Sequence, residues 1–423
     1  MKVAIVGGGP AGLYLSILLK LQDPAHDITV HERDREGSTY GWGVTYWQGL
    51  LDRLHDHDQV SARAVDEASV RWNEGVAHVR DLSTRHPGDQ GFGIGRHRLL
   101  EILAGRARSL GVTLGFEQEI DDVAGAPQLA EADLVVAADG VRSALRTRHA
   151  DHFGTEVGVG RNSYIWLGTT QVFDAFTFAF VETGHGWIWA YGYGYSGTHS
   201  TCVVECAPET WTGLGLDRAD EADGLALLEK LFADILDGHP LIGRAQSDGS
   251  AQWLNFRTLT NRTWYRDNLV LLGDAAHTTH YSIGAGTTLA LEDAIALASA
   301  LREHAALPAA LARYEHERRQ ALLQVQSAAR YSAQWYENLP RYIHLPPERM
   351  FALLGQRHSP LLPYVPPQLY YRLDRAAGRL EALRRLKRWL GPRLARTVHA
   401  RALESRKEEP VRPRGRHPRD GAV

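Results

Sequence analysis

Sulfur is scarce in this chain: its 423 residues include two cysteines and two methionines. So few cysteines in a chain of this length exclude a disulfide scaffold and point to a reducing compartment, the cytoplasm. Cys202 and Cys206 stand four apart in the Val-rich run Thr201–Cys206, so both fall on one sheet face. No set of further ligands accompanies them, so the pair reads as buried packing and no metal is expected. A long uninterrupted apolar run is also missing. Each candidate is broken by Gly, Asp or His, which argues against a transmembrane helix or stable membrane insertion. Met1 leads directly into Lys2-Val3-Ala4-Ile5-Val6, which reads as a buried strand rather than a secretory leader. A net charge of -3 gives no global attraction to nucleic acid. What is present, 44% hydrophobic and 23% charged residues, suits a globular protein of two fused domains or one large elaborated one.

Val3–Val6 is apolar without alternation, as a strand covered on both faces should be. Gly7-Gly8-Gly9-Pro10-Ala11-Gly12 turns the chain, Leu13–Leu21 is apolar at helical spacing, and Ile28–His31 is a second strand. This is a βαβ opening. β-Branched and aromatic residues then dominate from about Tyr164, predicting antiparallel strands at Tyr164–Gln171, Thr177–Glu182, Trp187–Tyr193 and Thr201–Cys206. Leu269–Leu272 returns to a buried parallel strand, followed by helices over Leu289–Glu303, Ala309–Ser332 and Gln368–Leu390. The stretch from Arg401 is charged, carries prolines and has almost no apolar residues, and reads as a disordered tail.

Three motifs carry chemistry. Gly7-x-Gly9-x-x-Gly12 lies between a strand and a helix, the context in which it binds a dinucleotide. Gly7 permits the turn, Gly9 lets backbone approach a pyrophosphate, and Gly12 allows close helix–strand packing. Pro10 and Ala11 open a helix whose free N–H groups attract phosphate. Glu32, with Arg33 beside it, ends the second strand about twenty residues on, placed to accept bonds from ribose hydroxyls and to disfavour a 2′-phosphate. The second motif is the strand Asp133–Ala138 ending in Asp139-Gly140, with Arg142 just beyond. The third is Leu271-Leu272-Gly273-Asp274, followed by Gly284, Gly286 and Thr287. A helix starting after Gly286 can aim its positive end at charge developing on a ligand.

In this order the motifs resemble the class A flavoprotein aromatic hydroxylases. The resemblance implies an α/β fold: a glutathione-reductase-like FAD-binding domain with an inserted mixed or antiparallel β-sheet substrate domain and a helical C-terminus. The FAD-binding domain is expected over 1–75, 90–155 and 260–325, and the substrate domain over 76–89 and 156–259. A helical region is expected over 326–400 and the tail over 401–423. The implied roles are ADP binding at Gly7, Gly9, Gly12 and Glu32, service to FAD and NAD(P)H at Asp139 and Gly140, and ribityl binding at Gly273 and Asp274. Arg96, in Gly95-Arg96-His97-Arg98, looks like the arginine such enzymes aim at the flavin; as a residue alone it also reads as a helix-start arginine. Gly41-Trp42-Gly43-Val44, Trp166-Leu167-Gly168, Val204-Glu205-Cys206 and His280–Thr287 are similar to one branch, the flavin domain of salicyloyl-CoA and anthraniloyl-CoA hydroxylating enzymes, from Met1 to about Asn338. The implied reaction uses NADH or NADPH as a transient reductant and O2, through a flavin C4a-hydroperoxide, on a small aromatic substrate. An aryl-CoA thioester, a free indole or an indole-containing natural product are the substrate classes, with a flavin protein lacking oxygenase activity as the rival. A monomer or homodimer is expected.

Trp187, Trp189, Tyr191, Tyr193 and Tyr195 alternate with small or aliphatic residues, which puts all five on one strand face. That face is either a wall for an aromatic ring or packing between the two domains. Trp187-Ile188-Trp189 also resembles the start of the flavin-halogenase signature, but its Ile-Pro is missing. His280 is the leading catalytic candidate, since an imidazole trades protons at neutral pH; the alternative is a hydrogen-bonded supporting residue. Tyr46, Tyr281 and Trp47 are further candidates, and His277 reads as structural, bonding turn backbone. The stripe Leu373, Ala377, Leu380, Leu383 and Leu390, flanked by arginines, suits either a terminal helix docked on the core or one touching phosphate groups or membrane.

Overall fold

The computed structural model describes residues 1–39, 41–122, 126–244 and 251–379, together with 393 and 397. Two sheets organise them. The first runs in the order Tyr265–Arg266, Leu269–Leu271, Leu134–Ala137, Lys2–Val6, Asp27–His31 and Thr113–Gly115, parallel except at its first pair. Every residue from Val3 to Val6 is buried, because helices cover the sheet. The helix Pro10–Gln22 is buried from Pro10 through Lys20, packed between the sheet and the helices Arg96–Ser109 and Gly286–Glu303. A helix closed in on all sides must be apolar all round, which is how Leu13–Leu19 reads.

The second sheet has nine strands. Leu241–Ile242, Glu156–Thr169, Ser200–Cys206, Gly186–Gly194, Phe176–Thr183, Val70–Val79, Leu82–Gly95 and Gly43–Trp47 lie in that order, and Leu254–Thr260 also pairs with Glu156–Thr169. All pairings are antiparallel except Val70–Val79 with Phe176–Thr183, so the sheet is mixed. It draws Gly43–Trp47 and Val70–Gly95 from the N-terminal part of the chain, a wider span than 76–89. Pro87, Gly88, Gly91, Gly93 and Gly95 break the strand pattern there, while cross-strand pairing overrides local propensity.

Strand parity gives this sheet two different faces. Ile188, Ala190, Cys202, Val204 and Cys206 pack under Leu228, Phe232, Ile235 and Leu236. Both cysteines are free and fully buried on this face, and burial pushes each thiol up to about 12. The opposite face, with Phe180, Trp187 and Trp189, is covered by the C-terminal helices through Trp335, Tyr336, Met350, Leu353 and Leu354. Those helices are Leu307–Glu337, Pro347–Gly355 and Pro367–Arg379. Residues 401–423, and most of the arginine-flanked stripe beyond Arg379, lie outside the described residues.

This packing corrects the expectation that Trp187 and Trp189 line the substrate pocket. The Trp189 ring stacks on Tyr336 at 5.8 Å and 12°. The Arg80 guanidinium covers Trp187 at 5.3 Å. Both tryptophans occupy the predicted face, but where they stand that face is filled by helices. No described helix is long and apolar enough to cross a membrane. Trp189→Ala should therefore lower the unfolding free energy by about 3–5 kcal/mol in a denaturant titration. A loss under about 1 kcal/mol would show that the ring is not packed.

Candidate active site

Where strand Lys2–Val6 meets helix Pro10–Gln22, backbone segments come within van der Waals contact. Gly7 has φ +116°, and a Cβ on it would sit 2.3 Å from the Ala138 carbonyl oxygen. A Cβ on Gly12 would sit 2.2 Å from the Gly7 carbonyl oxygen. Gly9 is different: nothing lies within 4 Å of where its Cβ would be, and it lines a large cavity. Gly9 caps the helix without a side-chain bond and Pro10 brings no N–H, so the Ala11 and Gly12 amides remain free at the helix start. The Glu32 carboxylate is held by the Gly8 N–H at 2.7 Å and the Asp34 N–H at 2.9 Å, and lines the cavity with Arg33.

The other two motifs converge on the same cavity, about 1550 Å³ in volume. Gly140 has φ +79°, and the neighbouring Asp139 accepts the Ala144 N–H at 2.8 Å. Burial raises the Asp139 pKa, and bonds from Ser143 and backbone oppose that shift. Arg142 is exposed at the cavity wall. Gly273, at φ +62°, turns the chain so that Asp274 opens into the cavity. Burial raises the Asp274 pKa, and His277 and Arg96 pull it down. Arg96 donates from Nε to Thr39 Oγ1 at 3.1 Å and forms no ion pair among the described residues. Gly284 turns at φ +61°, and helix Gly286–Glu303 starts with Gly286 and Thr287 on the cavity wall.

Five buried polar atoms in the residues lining this cavity have no partner among the described residues: Asp139 Oδ1, Arg146 Nε, Trp166 Nε1, His277 Nδ1 and Thr279 Oγ1. Buried polar atoms left unpaired carry a desolvation cost that a polar ligand relieves. Such atoms, an open Gly9 and free helix-start amides suit FAD, with its phosphates, hydroxyl chain and ring edge. Arg146 gave no signal in the sequence, yet it ties the motifs together, donating to Ala275 O at 3.1 Å and Val141 O at 2.7 Å. The expectation that His277 bonds turn backbone through its ring is not met. Its Nε2 meets Asp293 at 2.8 Å, and Arg318 holds the other Asp293 oxygen at 2.6 Å. Burial raises the Asp293 pKa, but His277 and Arg318 outweigh it and leave it lowered.

Beyond Trp47 and Thr45 the cavity becomes aromatic, walled by Tyr164, Trp166, Phe176, Tyr191, Tyr193 and Tyr281, with Tyr336, Arg357 and His358 contributed by the C-terminal helices and the turn after them. Tyr281 packs on Tyr164 at 4.3 Å and faces Tyr191 at 6.2 Å. Its hydroxyl donates to Glu205 Oε2 at 2.6 Å, and Asn162 Nδ2 donates to Glu205 Oε1 at 2.7 Å. Glu205 is 1% exposed. Burial pushes its carboxyl up to about 7, against the bonds from Tyr281 and Asn162. An acidic residue inside the apolar run Thr201–Cys206 was the signal that could have singled it out.

Two candidates stand elsewhere. His280 is not on the cavity wall: its Nδ1 is occupied by Ser282, at 2.8 Å to Oγ and 3.3 Å to the backbone N. Burial pushes its pKa down to about 3, so the ring is neutral and ill suited to trade protons at neutral pH. Tyr46 faces away from the cavity, stacked on Phe92 at 4.9 Å and bonded to Ser69. Trp47, on the other face of the same short strand, does line it.

Gly9→Val should fold, because its side chain meets open space, yet purify without flavin colour; a folded variant with full FAD would refute the cradle. Glu205 gives a second expectation. Its folded pKa of about 7 lies above its ordinary 4.5, so stability is lost as pH rises across that window. Glu205→Gln removes the loss, and Asn162 Oδ1, unpartnered, can turn to meet the new amide. The stability difference between variant and wild type should move by roughly 3 kcal/mol in the variant's favour from about pH 4 to about pH 8 in thermal unfolding. A difference independent of pH would contradict it.

Comparison with known proteins follows this geometry. Residues 1–329 match the model of the FAD binding domain family. Salicyloyl-CoA 5-hydroxylase from Streptomyces sp is 39% identical over 81% of this chain, which spans 66% of that protein's length. The 3-hydroxy-4-methyl-anthranilyl-[aryl-carrier protein] 5-monooxygenase of Streptosporangium sibiricum is 35% identical over 84% of this chain and 94% of its own. Among solved structures, the tetrameric form of 2-methyl-3-hydroxypyridine-5-carboxylic acid oxygenase superposes with a TM-score of 0.66 at 21% identity, over 80% of this chain and 91% of that one. The chain thus belongs to the FAD binding domain family, among the FAD-dependent aromatic monooxygenases.

Proposed function

We propose that this protein hydroxylates an electron-rich aromatic ring carried as an aryl thioester, with FAD as cofactor, NADH or NADPH as transient reductant and O2 as co-substrate. One observation carries this reading: a single cavity runs unbroken from the cradle of Gly7, Gly9 and Glu32 to the chamber of Tyr164, Tyr191 and Tyr281. Bound FAD supplies the activation of oxygen. The chain's own residues do the rest. The amides of Ala11 and Gly12 and the carboxylate of Glu32 would hold the adenosine end, while Asp139, Gly140, Arg96, Gly273 and Asp274 would hold the middle. The start of helix Gly286–Glu303, at Gly286 and Thr287 beyond the Gly284 turn, would offer its positive end to the ring system. The aromatic chamber orients the substrate ring and excludes water, each ring pair contributing roughly 0.5–1.5 kcal/mol.

The thioester assignment draws on the two relatives, whose rings are named as carried on coenzyme A and on an aryl carrier protein. The first sheet and its helices then form the FAD domain, the nine-stranded sheet the substrate domain, and the C-terminal helices the chamber roof. Among the described residues there is no second dinucleotide-binding strand–helix unit, so the nicotinamide visits from solvent near the exposed Arg142.

Oxidation of NADH should accelerate at least tenfold with salicyloyl-CoA or anthraniloyl-CoA, and mass spectrometry should find the oxygenated thioester. NADH should serve at least as well as NADPH, since among the described residues no second dinucleotide-binding unit with its own 2′-phosphate pocket is found. Stimulation by free indoles instead would move the substrate class to natural-product indoles. No stimulation and no oxygenated product with any aromatic would leave a flavin protein without oxygenase activity.

A further inference from the structure

Glu205 is a costly residue to place where it stands. A carboxylate inside an apolar sheet loses hydration that two hydrogen bonds only partly replace, and a glutamine would satisfy the same neighbours without the charge. Its surroundings suggest a use for an ionisable group. Tyr164 on strand Glu156–Thr169, Tyr191 on Gly186–Gly194, Tyr281 in the turn, and Tyr336 and Glu337 on helix Leu307–Glu337 lie within electrostatic range of it. Arg357 stands beside Tyr336, anchored on the Ser282 carbonyl at 3.0 Å. Of the four tyrosines, Tyr281 alone bonds the carboxylate. The hydroxyls of Tyr164, Tyr191 and Tyr336 have no hydrogen-bond partner among the described residues, although all three side chains line the chamber.

We propose that Tyr281 receives the ring hydroxyl of a phenolic substrate and that Glu205 accepts the proton passed through it, so that the pair selects rings bearing a hydroxyl group. The proposal rests on the aromatic-hydroxylase reading and deepens it. Tyr281 spends its own proton on Glu205 Oε2, which leaves its oxygen lone pairs free for an incoming O–H. In the transfer the substrate O–H bond breaks and its proton joins the Tyr281 oxygen. The proton already on Tyr281 moves to Glu205 Oε2. One proton is displaced, no electrons change hands, and the substrate is left as a phenolate, a richer ring for oxygen attack. Tyr281 conducts the proton but does not end as tyrosinate, because burial and the nearby carboxylate hold its pKa well above the ordinary value. Glu205 is the group that can change charge near neutral pH.

The test reads the ionisation of a bound phenol in the FAD-loaded enzyme, independent of turnover. 4-Nitrophenol, whose phenolate absorbs where the phenol does not, is titrated into wild type, Glu205→Gln and Tyr281→Phe across a pH series and followed by difference spectra. The bound probe should ionise at least one pH unit lower in wild type than in either variant. With a hydroxyaryl thioester as substrate, kcat should fall at least tenfold in both variants with little change in KM. Higher pH should restore Glu205→Gln in part, since the substrate then ionises unaided. Equal ionisation in wild type and both variants, or failure of the wild type to bind the probe, would overturn the proposal, and Tyr281→Phe keeps it decidable should Glu205→Gln not fold. Probe ionisation as expected in an enzyme that hydroxylates nothing would instead sink the hydroxylase reading and leave this pair standing.

Discussion

Two backbone crossings with no room for a methyl group set the geometry of the molecule. The Gly7 carbonyl lies where a Cβ on Gly12 would be, and the Ala138 carbonyl where a Cβ on Gly7 would be. Because these contacts are backbone to backbone, no rotamer change relieves them. They draw helix Pro10–Gln22 tightly against strand Lys2–Val6 and bring Leu134–Ala137 alongside, so the first and second motifs meet. The third joins them through Leu269–Leu271, which pairs with Leu134–Ala137. A ligand cradle made this way owes its shape to missing side chains rather than to present ones.

A second constraint is electrostatic. Asp293 is fully buried, yet it is met by His277 on one oxygen and Arg318 on the other, and Arg318 reaches on to Glu292. The chain thereby fixes the helix Gly286–Glu303 to the long helix Leu307–Glu337 and places the His277 ring against the cavity. Such buried clusters contribute registry more than net stability, because desolvation offsets much of their attraction. Through the same long helix, Ser332 bonds the Ser282 hydroxyl, so the turn carrying Tyr281 is held from the roof.

The cofactor half was legible because its signals are local. Parallel strands buried on both faces must be apolar runs, and close backbone approaches must be glycine, so Val3–Val6, Gly7 to Gly12 and Leu269–Leu272 could be read in order. The half built on the nine-stranded sheet depends on what packs against each face, which periodicity does not encode. Alternation placed Trp187, Trp189 and Tyr191 together correctly, but could not tell that the C-terminal helices cover the first two and leave Tyr191 to the chamber. His280 and Tyr281 are neighbours in one tight turn and their rings stack at 4.4 Å, yet of the two Tyr281 lines the cavity. Glu205 stands as a charge inside an apolar run, a signal not used in reading the sequence, and its meaning required the turn that brings Tyr281 to it from 76 residues away.

The scarcity of sulfur gains a meaning from where the few sulfurs lie. Cys202 and Cys206 occupy the sheet face turned away from the cavity, fully buried, with thiols held protonated far above neutral pH. Met350 is buried on the inward side of helix Pro347–Gly355, and Met1 is the one exposed thioether. Thiolate character and exposure govern oxidation at sulfur. An oxidant therefore meets a surface with almost no accessible sulfur to attack, and the framework around the cavity keeps its thiols out of reach.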